Sequence, residues 1–120
     1  MKRQTLTNNP RQWFDLGRAR KFPDRVRFVS AFGAWKSLAT GDFYAREDLY
    51  LSASGRWIVH WWTVKQGYAP LWVEIPTPEA LAWLERVGYQ EASAAIRAAL
   101  ARYARRAGIV YEAVPAAERR

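Results

Sequence analysis

The stretch from Leu49 to Val64 constrains the fold more than any other, because it is the densest apolar run in the chain. Two runs rich in β-branched and aromatic residues flank Ser52-Ala53-Ser54-Gly55. Gly55 can supply the positive φ that a short hairpin loop commonly requires. The sequence therefore predicts a β-hairpin around which the rest of the chain packs.

The second strand of this hairpin carries bulky side chains on both faces. Successive strand side chains alternate, so Trp57 and Trp61 point to one face while His60 and Trp62 point to the other. A strand that is apolar on both sides is either buried on both sides or presents one aromatic face to a partner. The sequence leaves open which of these two arrangements holds.

Alternating apolar and polar residues predict further strands, over 25–32, 43–51 and 71–75. The second of these forms the first arm of the central hairpin, and together the strands predict an antiparallel meander of three to five strands. The connection over 33–41 is expected to anchor Trp35 in the core. Asn8-Asn9-Pro10 resembles a helix start, so we expect a short N-terminal helix from Pro10 to about Arg20.

Two C-terminal helices have the clearest local signals. Thr77 is an expected N-cap, Pro78 follows at the first helical position, and Gly88 stands where the helix should stop. Apolar residues at offsets of three and four predict a second helix over 90–107, with Gly108 as its C-cap. The predicted fold class is α+β, with both helices packed on one face of the sheet.

The composition predicts a single domain over residues 1–120, with 1–9 and 115–120 flexible. There is no cysteine and one histidine, which excludes a disulfide framework and a zinc site built from Cys and His. We expect no cofactor. No apolar run reaches the roughly 18 residues of a membrane helix, so we expect a cytoplasmic protein that does not bind membranes.

Positive charge is concentrated at the two ends of the sequence. Residues 1–36 carry nine basic and two acidic side chains, and residues 97–120 carry six basic and two acidic ones. This asymmetry favours an anionic partner such as RNA or DNA, with Arg25 and Arg27 on an exposed strand face as phosphate contacts. Three arginines of the last helix are further candidates: Arg102, Arg105 and Arg106.

We therefore expect a non-enzymatic module that associates with nucleic acid through its basic termini and an aromatic sheet face. Trp57, Trp61 and Trp72 would stack on unpaired bases, with Arg56 beside them. An alternative is a protein-interaction module, such as an adaptor, an inhibitor or a homodimer, because Trp, Tyr and Arg are enriched in interface hot spots. A third interpretation places the tryptophans in the core.

The sequence offers weak candidates for catalysis. His60, with Arg56 and Tyr50 nearby, could act in RNA cleavage as in small basic ribonuclease toxins, with arginine stabilising phosphate charge. A histidine in a dense aromatic run also fits a hydrogen-bonded core residue. A magnesium site is not predicted, because Glu47 and Asp48 point to opposite faces of a regular strand.

Several segments together resemble a group of small uncharacterised bacterial proteins, many of them on plasmids and other mobile DNA. The matching features are a Leu-Tyr…Gly-Arg-Trp hairpin at 49–57 and an Ala-x-x-Trp-Leu helix at 80–84, within residues 14–90. Tryptophan and valine after the hairpin and the arginine-rich last helix depart from the group's pattern. The resemblance implies a protein of a mobile genetic element and implies no activity.

Overall fold

A computed structural model of the chain describes residues 1–107 and has an α+β fold, with antiparallel sheets and two C-terminal helices. The predicted class is therefore confirmed. The strands are β1 (Arg3–Thr5), β2 (Trp13–Asp15), β3 (Arg20–Phe22), β4 (Val26–Val29), β5 (Ala34–Ser37), β6 (Ala45–Leu51), β7 (Trp57–Thr63) and β8 (Leu71–Ile75). The helices are α1 (Thr77–Val87) and α2 (Gln90–Ala107), and a 3-10 turn spans Leu16–Arg18.

The strands form one four-stranded sheet and two separate hairpins. The central sheet has the order β3-β6-β7-β8, while β1 pairs with β2 and β4 pairs with β5. The predicted central hairpin is present as β6 and β7, with Gly55 at φ 86° in its loop. Its register places His60 opposite Asp48 on one side and opposite Trp72 on the other.

The predicted N-terminal helix is wrong, and so is the number of strands, which is eight within the described residues. Residues 3–5 and 13–15 form a hairpin, and Pro10 lies in its turn. Aromatic residues at 13 and 14 favour a strand, and Gly17 disfavours a helix. Leu6 and Phe14 of this hairpin are buried, so part of the segment expected to be flexible contributes to the packing.

The two helices cover one face of the central sheet and form the main core with it. Five buried residues of α1 pack against this face of the sheet: Ala80, Leu81, Trp83, Leu84 and Val87. α1 ends at Gly88, which adopts φ 102°, a left-handed conformation that glycine tolerates. The N-cap is Pro76 rather than Thr77, one residue earlier than predicted. The expected C-cap at Gly108 and the tail at 115–120 lie outside the described residues.

Neither helix of residues 1–107 combines the length and the hydropathy that crossing a membrane requires.

Candidate nucleic-acid interface

The helix-covered face of the central sheet contains Trp57. This side chain is 5% exposed and packs against Phe22, with 6.2 Å between the ring centroids. Trp61 lies on the same face, opposite Glu47 and Leu71, and is half-buried. Trp57 therefore cannot offer a ring to a nucleobase, and its place in the predicted stacking platform is corrected to a place in the core.

The opposite face of the sheet carries a row of stacked rings. His60 stacks on Trp72 with 3.9 Å between centroids and an interplanar angle of 8°, and on Trp62 at 5.1 Å and 28°. His60 therefore lies between the two tryptophans.

The N-terminal hairpin covers the remainder of this face. Phe14 packs on Trp72 with 5.9 Å between centroids, and it lies with Leu6 in a second core cluster beside Tyr50 and Ile58. Trp72 is therefore covered on its outer side. Among residues 1–107, Trp62 has one aromatic neighbour, His60, and is half-buried. The central sheet thus offers no broad stacking platform.

A charged cluster lies beside the row of rings. Lys21 Nζ is 3.5 Å from the buried Asp48 carboxylate, and Lys21 also lies opposite Tyr50. Partial burial works to lower the pKa of Lys21, but the Asp48 carboxylate and the Tyr50 phenol together outweigh burial and raise that pKa. Burial lowers the pKa of His60, while the Asp48 charge opposes this shift. Burial also raises the pKa of the Tyr50 phenol.

The geometry does not bring together the candidate residues for RNA cleavage. Arg56 and His60 are four positions apart on one strand, which corresponds to about 13 Å. The Arg56 guanidinium donates two hydrogen bonds to Glu74 Oε1, at 3.1 and 2.7 Å, and a third to the Trp13 carbonyl oxygen at 3.0 Å. Arg56 therefore links the N-terminal hairpin to β8 of the central sheet, and its guanidinium is occupied by structural contacts.

Three exposed aromatic side chains, Phe28, Phe32 and Trp35, lie instead on the β4–β5 hairpin, residues 26–37, which we call the arm. Phe28 and Trp35 are directly opposite each other and are 48% and 55% exposed. Their rings meet edge-on with 5.2 Å between centroids. Arg27 lies opposite Lys36 on the other face of the same two strands. The arm is thus a two-stranded ribbon with one aromatic and one basic face.

Asp24 fixes the base of the arm. Its Oδ1 accepts hydrogen bonds from the backbone N–H groups of Arg25 and Ala39, and its Oδ2 accepts from the Ser37 hydroxyl and from the Glu47 N–H. These donors lie immediately before β4, in β5, in the loop that follows β5 and in β6. One carboxylate therefore holds the arm at a defined position on the central sheet, as preorganised binding surfaces require.

The predicted core position of Trp35 is wrong, because this side chain is exposed on the arm. The signal that could have found the arm is the alternation of Arg25 to Val29, followed by a glycine and by Ala-Trp-Lys-Ser. Gly33 has φ 57° at the end of the turn. Reading that glycine as a hairpin signal would have paired Phe28 with Trp35.

The predicted phosphate contacts have different environments. Arg25 lies 3.9 Å above the Tyr89 ring, and its Nη1 donates to the Gly88 carbonyl oxygen at 3.1 Å, so it joins β4 to the helix junction. Arg27 is exposed on the arm. The three predicted α2 arginines are exposed and form no salt bridge within residues 1–107: Arg102, Arg105 and Arg106.

Several acidic side chains are directed into the protein. Asp24 and Asp48 accept internal hydrogen bonds, and Glu47 Oε1 accepts one from Trp83 Nε1 at 2.7 Å. Burial raises the pKa of Glu47, although the Trp83 bond opposes this shift. Because these carboxylates are internal and most of the arginines and lysines are at the surface, the outer surface is more cationic than the net charge of +8 alone indicates.

No family model, curated protein or solved structure matches this chain. The resemblance to plasmid-borne proteins stays a prediction.

Proposed function

We propose that this chain is a small non-enzymatic module that binds single-stranded nucleic acid, with the arm as its principal contact surface. The observation that carries the proposal is the division of the arm into an aromatic face, with Phe28 and Trp35, and a basic face, with Arg27 and Lys36. Exposed rings stack on unpaired bases of any sequence, and each stacked base contributes about 1–3 kcal/mol. Cationic side chains neutralise the neighbouring phosphates.

The charge of the arm supports an anionic partner. Residues 26–37 contain two basic side chains and no acidic one. A second copy of this chain would bring the same positive charge to the interface, which disfavours self-association through the arm. A polyanion meets no such repulsion, and its negative charge complements the arm.

The central sheet adds to this surface where it meets the arm. Arg46 lies opposite Trp62 in the β6–β7 register and also lines a cleft together with Trp35. Trp62 and the aromatic face of the arm therefore share Arg46 as a neighbour. A strand of nucleic acid that follows the arm would reach Arg46 and Trp62 next.

The test measures how affinity depends on salt. Fluorescence anisotropy of a labelled single strand of about 12 nucleotides is recorded between about 50 and 200 mM NaCl, with a duplex of equal length alongside. We expect tighter binding of the single strand. We also expect Arg27→Gln/Lys36→Gln to lower the slope of log K against log salt by about 0.7 per lost phosphate contact.

Arg102→Gln/Arg105→Gln is the matched control, because it removes the same charge from exposed positions on α2. If the slope of log K against log salt falls in this control and not in the arm variant, the interface lies on α2 and the assignment to the arm is contradicted. Binding that is absent at about 50 mM NaCl would reject nucleic acid altogether. The exposed Phe28 and Trp35 would then favour the protein-interaction alternative.

A further inference from the structure

A cleft lies between the tip of the arm and the segment that leads into β6. The lining residues come from both sides: Phe32, Ala34 and Trp35 from the arm, and Phe43, Tyr44 and Arg46 from the other side. Its volume is about 470 Å³, within the range of about 300–1,000 Å³ for small-molecule sites. Four of the six lining residues are aromatic, so the cleft suits a flat ring.

We infer that this cleft takes one unpaired nucleobase of the bound strand, an inference that rests on the proposed function. Phe32 and Phe43 close one end, with 5.4 Å between their centroids, while Trp35 and Tyr44 remain about half exposed beside it. A base within a duplex must be unpaired and unstacked before it can enter such a cleft, which a base of a single strand need not be. The cleft thereby selects unpaired bases.

Two cationic side chains beside the cleft, Arg46 and Lys65, are available to bind the phosphate of that nucleotide. Arg46 Nη1 donates to the carbonyl oxygens of Phe43 and Ala45, at 3.2 and 3.0 Å. This leaves Nε and Nη2 of Arg46 without hydrogen-bond partners among residues 1–107. Lys65 Nζ lies 4.6 Å from the Tyr44 ring centroid. Two cations thus accompany the rings at the cleft.

The Asp42 carboxylate, which precedes Phe43 in the sequence, does not strongly oppose the binding of a phosphate by these cations. Asp42 Oδ1 accepts a hydrogen bond from the backbone N–H of Phe43 at 2.7 Å, and the Tyr44 N–H lies 3.4 Å from the same oxygen. The carboxylate therefore serves to fix the segment that forms one wall of the cleft. Its charge is partly compensated by these amide dipoles.

The experiment separates the contribution of the base to the affinity from that of the phosphate. Anisotropy is measured for a labelled oligothymidine of about 12 nucleotides and for an abasic strand with the same number of phosphates. For the unaltered protein we expect the abasic strand to bind about 5- to 150-fold more weakly. In Trp35→Ala and Tyr44→Ala, the ratio of the affinities for the two strands should fall towards one. This is the result that a double-mutant cycle gives when the base contacts the altered residue.

Tyr103→Ala is the matched control, because Tyr103 is an exposed aromatic residue on α2, away from the cleft. Thermal unfolding verifies that each variant is folded. If Trp35→Ala and Tyr44→Ala leave the affinity difference between the two strands unchanged, the base binds elsewhere, and the assignment of the cleft as a base site is overturned. Equal binding of the two strands would also overturn it, while leaving the proposed association with phosphates intact. Failure of both strands to bind would reject the proposed function itself.

Discussion

Two hairpins of this protein are both rich in aromatic residues, yet they have opposite environments. The central hairpin, β6 and β7, has one face under the helices and the other partly under the N-terminal hairpin. The arm, β4 and β5, pairs only with itself and leaves Phe28, Trp35 and Phe32 exposed. Aromatic content alone therefore does not indicate which hairpin is core and which is surface.

The difference follows from which neighbours each hairpin has. The apolar stripe of α1 contacts the sheet through Leu81, Trp83 and Leu84, and this stripe covers the face of β7 that carries Trp57. Within the described residues, neither a helix nor another sheet lies over the aromatic face of the arm. A small domain has few elements to supply such cover, so an aromatic face that is left uncovered calls for a functional explanation.

The largest expected effect separates the two hairpins by stability. Trp57→Ala should lower the free energy of unfolding by about 3–5 kcal/mol, because it leaves a large cavity in the core. Trp35→Ala, in the arm, should change it by less than about 1 kcal/mol, since that side chain is 55% exposed. Urea unfolding followed by far-UV circular dichroism measures both variants. Equal losses for the two tryptophans would remove the distinction between core and arm.

The second prediction tests what holds the arm on the central hairpin. Asp24→Ala removes the carboxylate that accepts hydrogen bonds from Ser37, Ala39 and Glu47, and leaves partly buried backbone N–H groups unpaired. We expect a loss of about 2–3 kcal/mol in the free energy of unfolding. Asp24→Asn retains one acceptor oxygen and should lose less. If Asp24→Ala unfolds in urea like the unaltered protein, the arm is held by something other than this carboxylate.

The sequence predicts the central hairpin and both helices because these elements have strong local signals. Gly55 marks the hairpin loop, and Gly88 marks the end of α1, at positions where a left-handed backbone is required. The site was harder to predict because it depends on tertiary cover. Trp57 and Trp62 lie on one strand with the same local signal, and only the position of the helices decides which of them is buried.

The smallest expected effect lies within the central hairpin, at His60. Burial lowers the pKa of His60 below the ordinary value of 6.5, so the unfolded chain takes up a proton more readily than the folded protein does. The free energy of unfolding should therefore fall as the pH is lowered through 6.5 towards the folded pKa, and then level off. The Asp48 charge opposes this shift of the pKa, and the Lys21 charge adds to it.

His60→Gln isolates this contribution, because glutamine does not titrate. Urea unfolding is measured from about pH 5 to 8 for both proteins, and the difference between their free energies of unfolding is plotted against pH. The raised pKa of Glu47 acts in the opposite direction, lowering stability as the pH rises, but it is common to both proteins and cancels in the difference. The difference should shift in favour of the histidine protein as the pH rises through 6.5. A pH-independent difference would mean that the ring is as well solvated between Trp62 and Trp72 as in the unfolded chain. The row of rings would then be an open surface like the arm rather than part of the core.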